Sequence, residues 1–302
     1  MLKTYRVYQV DSFTKTRFCG NPAGVVPNAD GLSESQMQHI ARELNNSETA
    51  FIFNSNQDDY DVEVRFFTPT TEVPICGHAT IAAHYVRALE TGISTGRVLQ
   101  KTKAGILPVD IMREGEDIAV VMTQTEPVVG EDLGKDVRQK IAEALNIKRS
   151  DICEKYPIVI ASTGHAKVMI PLNSTKTLNT IKPNEELLIK LSNEIGCNGF
   201  YSFTLNPDED ILVHGRMFAP SIGISEDPVT GNANGPLGAY LVHYGILQDE
   251  HSDHFDFNII QGESIGRPGT MYVDVKKEKG EPKLVQIKGS AVIRSKPKLN
   301  FK

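Results

Sequence analysis

Residues 76–87 read CGHATIAAHYVR, and residues 230–244 read TGNANGPLGAYLVHY. In each stretch a glycine precedes a run that is apolar almost all round. A helix apolar on every face is a buried one. Two such helices in 302 residues imply two cores, each enclosing one helix. The second stretch reads as a glycine-rich turn, TGNANGP, leading into a helix LGAYLVHYG, with Pro236 fitting its first turn. The openings pair as Cys76-Gly77-His78-Ala79 with Thr230-Gly231-Asn232-Ala233, an offset of 154.

Working outward, the elements around the two helices recur in the same order. The first half reads as a strand over Tyr5–Val10, a glycine- and proline-punctuated loop, a short strand at Val25–Val26, and a helix. That helix opens with Ser33-Glu-Ser-Gln36, the form of a capping box. Met37, Ile40, Ala41 and Leu44 recur at helical spacing, and Asn45 and Asn46 suit its end. Strands Thr49–Phe53 and Val62–Phe67 precede the first buried helix. Strands around Val98–Gln100, Gly105–Val109 and Ile118–Met122 follow it. The second half repeats this with strands Tyr156–Ala161 and Lys167–Ile170. A helix presents Leu187, Leu188, Leu191 and Ile195 on one face and ends at Gly196. Strands Gly199–Leu205 and His214–Phe218 come next. Residues 255–296 read as hairpin strands with charged turns such as Lys276-Lys-Glu-Lys-Gly280. Tyr5 and Tyr156 lie 151 apart, as do Glu43 and Glu194, and Arg65-x-Phe67-x-Pro69 matches Arg216-x-Phe218-x-Pro220 at the same offset. The common order predicts an internal duplication in an α+β fold. The acidic, turn-rich stretch EPVVGEDLGKD places the boundary, with residues 1–125 as the first repeat and 126–285 as the second.

Composition narrows the function classes. The chain is 40% hydrophobic and 23% charged with a net charge of −6, which argues against disorder. No basic patch could track phosphates, so nucleic-acid binding is not expected. An acidic balance also disfavours an anionic membrane surface, and no window approaches a membrane span. The N-terminal MLKTYRVYQVDSF alternates as a strand and lacks the apolar core of a signal peptide. Cys19, Cys76, Cys153 and Cys197 form no CxxC and suggest neither a disulfide framework nor a zinc site. A cytoplasmic protein with reduced thiols is the expectation. No HExxH, GxSxG or Walker A motif is present, so neither metal nor cofactor is expected.

Pseudo-symmetric halves have one natural site, a cleft between them. Each half offers a buried helix whose N-terminus presents unpaired N–H groups and a positive dipole end. With Gly77 and Gly231 at those ends, two termini facing one cleft would grip a carboxylate; alternatively the glycines are ordinary turn residues. Breaks in the symmetry point to chemistry. At offset 151, Glu48 faces Gly199. Glu48 sits in NNSETAFIF, between a helix end and an apolar strand. It is either a solvated turn residue or a carboxylate near the core, where desolvation favours the protonated form and suits general acid/base work. His78, in the first turn of its helix, is kept neutral by the helix terminus and serves as a hydrogen-bonding group or as a structural histidine. Asp227, in SEDPVTGNANG, binds a polar substrate group or holds its loop in an Asx-turn. His165, in STGHAK, occupies a loop equivalent to Asn21-Pro22 and would line the same cleft. His84, His214 and His243 lie inside regular elements and read as structural.

These residues carry a family likeness. FTPTTEVPICGHAT, NNSETAF and EDPVTGNANGPLGAYL resemble the phenazine-biosynthesis isomerase (PhzF-like) family, with the match closest to its YddE-type branch. It runs from DSFTKTRFCGNPAGVV to the final strands. The resemblance implies a diaminopimelate-epimerase-like fold: two pseudo-symmetric domains, each a curved β-sheet wrapped around a central buried helix. It further implies that the last strand, 286–302, rejoins the first domain, and that the protein forms a homodimer. The glutamate of the family's SE motif shifts a proton on a cyclic carboxylate, assisted by the histidine of GH and the aspartate of ED; here these match Glu48, His78 and Asp227. Related racemases use two thiols, one from each half. This chain has Cys76 at the first position and Thr230 at the second, and a threonine hydroxyl cannot replace a thiolate as base near neutrality. Phenazine makers typically carry serine where this chain has Asn232, and a smaller residue at Cys76.

The expectation is therefore a cofactor-independent isomerase of a small carboxylate. Glu48, His78 and Asp227 are the catalytic candidates, with Cys76, Gly77, Thr230, Gly231 and Asn232 binding substrate. The alternatives are an amino-acid epimerase or racemase, with Asp227 or Cys76 as second base, and a binding protein without chemistry.

Overall fold

The structure, a computed structural model, describes residues 3–93, 95–247 and 252–301. Met1 and Lys302, which the expected domain ranges include, lie outside the described residues. The chain divides into two compact units. Unit 1 is Met1–Thr123 with Lys288–Lys302, and unit 2 is Gln124–Ile287.

Unit 1 runs β1 (Lys3–Arg6), β2 (Tyr8–Ser12), β3 (Asn21–Val26), α1 (Glu34–Leu44), β4 (Glu48–Asn54), β5 (Val62–Phe67), β6 (Glu72–Val73), α2 (Gly77–Thr91), β7 (Gly96–Thr102), β8 (Gly105–Glu114) and β9 (Asp117–Thr123). Unit 2 runs β10 (Val128–Val129), α3 (Gly134–Ala144), β11 (Val159–Ser162), β12 (Lys167–Pro171), α4 (Thr175–Thr180), α5 (Glu185–Ile195), β13 (Phe200–Leu205), β14 (Val213–Ala219), β15 (Ile224–Asp227), α6 (Gly231–His243), β16 (His254–Gln261) and β17 (Gly269–Glu278). Then β18 (Glu281–Ser295) starts in unit 2 and ends in unit 1, where β19 (Lys298–Phe301) follows.

The two units share one wiring diagram. In unit 1, β2–β3 is antiparallel, β3–β4 parallel, β4–β5 antiparallel and β5–β7 parallel. In unit 2, β11–β12, β12–β13, β13–β14 and β14–β16 repeat those senses in order. The register repeats too: Thr49 faces Phe67, and Phe200 faces Phe218. In unit 1, β18 pairs both β2 and β9, so eight strands close on themselves.

Each sheet wraps a helix. α2 packs against β2, β3, β4, β8 and β9, and α6 against β10, β11, β12, β16 and β17. Residues 79–83 of α2 and 233–242 of α6 are buried without interruption. Gly238 shows how close α6 lies to its sheet. A Cβ there would come 2.8 Å from a Val275 methyl and 2.9 Å from one of Val273. α1 packs outside β4 and β5, burying Met37, Ile40 and Ala41 against Phe51 and Phe67. Its capping box forms: Ser33 accepts from the Gln36 N–H, and the Gln36 side chain from the Ser33 N–H. Asn45 closes it in the left-handed conformation at φ 50°. Among the described residues, no helix is long and apolar enough to cross a membrane.

Three expectations need correction. Tyr5–Val10 is not one strand. β1 pairs with β19 while β2 pairs with β3 and β18, and between them the Val7 N–H donates to the Pro297 carbonyl. Tyr156 lies outside any strand, so Tyr5 and Tyr156 are not equivalent. Pro236 is not in a first turn: α6 starts at Gly231, and Pro236 is its sixth residue. Residues 137–144 belong to α3, an element outside the expected order, although Val137, Ile141 and Leu145 recur at i, i+4 and i+8.

The Arg-x-Phe pairs are structural. Arg65 makes a forked pair with Glu72 and lies over the Phe67 ring. Arg216 does the same with Glu226 over Phe218, and also donates to the Leu178 and Ile181 carbonyls. Losing one partner of a buried pair strands the other. Arg216→Met should therefore cost about 3–5 kcal/mol in urea-unfolding free energy. Arg65→Met should cost less, because Arg65 is more exposed.

His84 is wholly buried in α2, and its Nε2 lies 2.9 Å from Gln100 Oε1. Burial pushes its pKa down to about 4. The unfolded chain therefore binds a proton that the folded chain refuses, and stability falls as pH drops from about 6.5 to 4. This group alone should remove about 3 kcal/mol over that window. His84→Gln should lose that part of the slope in urea titrations at several pH values. An unchanged slope would refute the assignment.

Candidate active site

The αL cap at Asn45 ends α1 and swings the chain into β4, so that Ser47 and Glu48 follow within three residues. Glu48 opens β4, paired with Ala23 of the parallel neighbour β3. Here it meets the start of α2. Glu48 Oε2 lies 3.3 Å from His78 Nε2, and Ser47 Oγ lies 3.1 Å from the same nitrogen. The other ring nitrogen, Nδ1, is 3.4 Å from Cys76 Sγ. With the proton on Nε2, the ring donates to the Ser47 oxygen and Nδ1 accepts from the thiol, while the Glu48 carboxylate stands close to the same Nε2. The cluster is enclosed, with the His78 side chain 9% exposed and that of Glu48 17%. Cys76 is buried.

Cys76 is the N-cap of α2 but does not cap it through its side chain. Gly77 and His78 therefore open the helix with N–H groups that have no intrahelical acceptor. A Cβ on Gly77 would meet only the Met122 methyl, at 3.4 Å. Ser12 Oγ donates to the His78 carbonyl at 2.8 Å and pins this turn to β2. Carboxylate, thiol and imidazole donor atoms all lie within 4.8 Å of one another. Such donors suit zinc; the thiol is within hydrogen-bonding reach of the imidazole.

In unit 2 the start of α6 is built differently. Thr230 is the N-cap, and its hydroxyl donates to Asp227 Oδ2 at the end of β15. The fully buried Gln261 organises the turn. Its Oε1 accepts from the Thr230 N–H at 3.2 Å and from Asn234 Nδ2 at 3.0 Å. Its Nε2 donates to the Asp227 carbonyl at 2.8 Å and to Thr230 Oγ1 at 3.1 Å. Tyr201 completes the network by donating to Asn234 Oδ1 at 2.5 Å. Asn232 is half-buried in the first turn. Asp227 thus accepts from a hydroxyl side chain three residues on. His165 is exposed and lines the rim of a pocket of about 390 Å³ with Cys197, Ser192 and Asn198. Desolvation and the neighbouring Lys167 charge hold its pKa below the usual histidine value. His214 and His243 each bring Nδ1 within hydrogen-bonding distance of a carboxylate, Glu263 and Glu281 respectively.

Glu48, Cys76, Gly77 and His78 thus come together in unit 1, and Asp227, Thr230, Gly231 and Asn232 in unit 2. Sequence reasoning missed Ser47 and Gln261. Ser47 stood beside Glu48 in a quoted motif. Gln261 ends a strand with no motif around it.

A family model described as phenazine biosynthesis-like protein matches residues 10–296. An uncharacterised isomerase of Clostridium acetobutylicum is 57% identical, over 99% of both chains. The uncharacterised isomerase YddE of Escherichia coli K12 is 47% identical, over 95% of this chain and 96% of the other. A trans-2,3-dihydro-3-hydroxyanthranilate isomerase of Pseudomonas chlororaphis is 32% identical, over 94% and 95%. The PhzF-family phenazine biosynthesis protein of Bacillus anthracis superposes with a TM-score of 0.88 at 32% identity, over 98% and 99%. A hydroxyproline epimerase of Agrobacterium vitis shares the fold at a TM-score of 0.64, 12% identity and 99% and 93% coverage. With the motifs of both helix starts in place, the chain is an isomerase-type member of the phenazine biosynthesis-like, or PhzF, family.

Proposed function

We propose that this protein is a cofactor-independent isomerase that moves a proton on a small carboxylate, with Glu48 as the acid/base. The observation that carries this reading is the Ser47–Glu48–His78–Cys76 cluster, enclosed at the start of α2. A single carboxylate that removes a proton from carbon must return it at another position. Glu48 is held against a hydrogen-bonding ring and screened from bulk water, which fits both steps. His78 orients the carboxylate, and the N–H groups at Gly77 suit the negative charge of a substrate. To Asp227 we assign the assisting polar role, and to Thr230, Gly231 and Asn232 substrate binding. The printed name of the Pseudomonas relative is that of an isomerase of a ring carboxylate, which supports the substrate class. The Thr230 hydroxyl is engaged by Asp227, which speaks against a two-thiol racemase.

The test is incubation with a metabolite pool in heavy water, followed by mass spectrometry for compounds that gain deuterium. Glu48→Gln keeps shape and one acceptor but cannot carry the proton. It should bind ligand nearly as the unsubstituted protein does and lose exchange about a thousandfold or more, roughly 4 kcal/mol of barrier. Exchange at the unsubstituted rate would move the base elsewhere.

Cys76→Ala removes one weak thiol contact to His78. Turnover should stay within about tenfold, or 1.4 kcal/mol. A thousandfold loss with the fold intact, read by circular dichroism, would instead make the thiol a base.

A further inference from the structure

Where unit 1 has Glu48, unit 2 has Gly199, and the repeated register makes the two positions equivalent. Gly199 is not an empty position. A Cβ there would come 2.2 Å from Lys167 Cδ, 2.7 Å from Cε and 3.3 Å from Nζ. The lysine stem therefore lies across the space where a second glutamate would begin, and glycine is needed to admit it.

Lys167 opens β12 and is only 5% exposed. Among the described residues, its ammonium makes one hydrogen bond, to the adjacent Ala166 carbonyl at 3.0 Å. An ammonium carries three donors, and leaving donors of a buried charge unmet is costly. Burial lowers its pKa, while the charges of Cys197 and Asp227 draw it back up. Burial raises the Cys197 pKa, so the thiol is not the standing counter-charge. The remaining anion is Asp227, already bound to Thr230. A buried cation with donors to spare, in the field of the Asp227 charge, has the chemistry of an anion receptor.

We propose that the Lys167 ammonium is a substrate-binding group, holding a carboxylate or a developing oxyanion against unit 2. This rests on the reading of the protein as a carboxylate isomerase and adds a cation to it. If the lysine only fills space, its stem matters and its charge does not.

Lys167→Met keeps the stem over Gly199 and removes the charge. Benzoate and its uncharged counterpart benzamide serve as probes, with binding to the full-length protein followed by calorimetry. The unsubstituted protein should prefer benzoate. Lys167→Met should lose about tenfold or more in benzoate affinity with benzamide binding unchanged. Benzoate should also shift the Lys167 side-chain resonances in the unsubstituted protein, a readout that survives if the variant fails to fold. Equal benzoate affinity in the two proteins, no binding of benzoate, or no resonance shift would each overturn the inference. The proposed reaction is judged separately. Deuterium exchange by the unsubstituted protein with no change in Lys167→Met would sink the lysine assignment alone. Charge-selective benzoate binding without exchange would sink the reaction alone.

Discussion

A helix with no polar face has to be enclosed, and that requirement organises each unit. α2 and α6 can satisfy it only if strands pass on several sides of them, and strands long enough to do so must curve. The sides of the helices are then taken up by packing, as the close approach of Gly238 to two valines shows. What remains for chemistry is the helix end. Its first N–H groups have no acceptor within the helix, and the residues just before it are free of the helical period. The functional candidates of this chain gather there because the rest of each helix is spoken for.

The duplicated frame makes the differences between the units informative. Equivalent positions carry Cys76 or Thr230, His78 or Asn232, and Glu48 or Gly199. The first unit assembles a carboxylate and a thiol around one imidazole. The second replaces them with an amide and hydroxyl network around Gln261 and with a lysine stem. The scaffold residues do not diverge in this way. Arg65 and Arg216 still grip equivalent glutamates over equivalent phenylalanines. Conserving the brace while changing the helix start lets one fold present two unlike chemical surfaces.

Much of this was legible from local signals. The Ser33–Gln36 capping box and the Asn45 terminus are written in adjacent residues, and both form. The offset of 151 is legible because α1 and α5 have equal lengths and the strands after them keep register. The start of α6 was misread because Gly-Asn-Ala-Asn-Gly is a poor helix former. It is helical because Gln261 and Tyr201, remote in sequence, hold Asn234 and Thr230. The break between β1 and β2 was hidden for a similar reason: the alternation is continuous, and Pro297 sets the interruption. Glu48 and His78 were found from their motifs, while Lys167 was not. Its meaning depends on what Gly199 lacks, and an absent side chain leaves no motif.

The closure of unit 1 also bears on how the chain emerges from the ribosome. β1 pairs with β19, and β2 pairs with β18, so these strands await partners that are translated after most of unit 2. Residues 124–287 are complete before residue 288 is added, and unit 2 can condense while unit 1 still lacks its eighth strand. During that interval β2 and β9 are open edges beside exposed apolar surface, a state prone to pairing with other chains. Vectorial synthesis thus leaves the unit that carries Glu48 and His78 to mature after its companion.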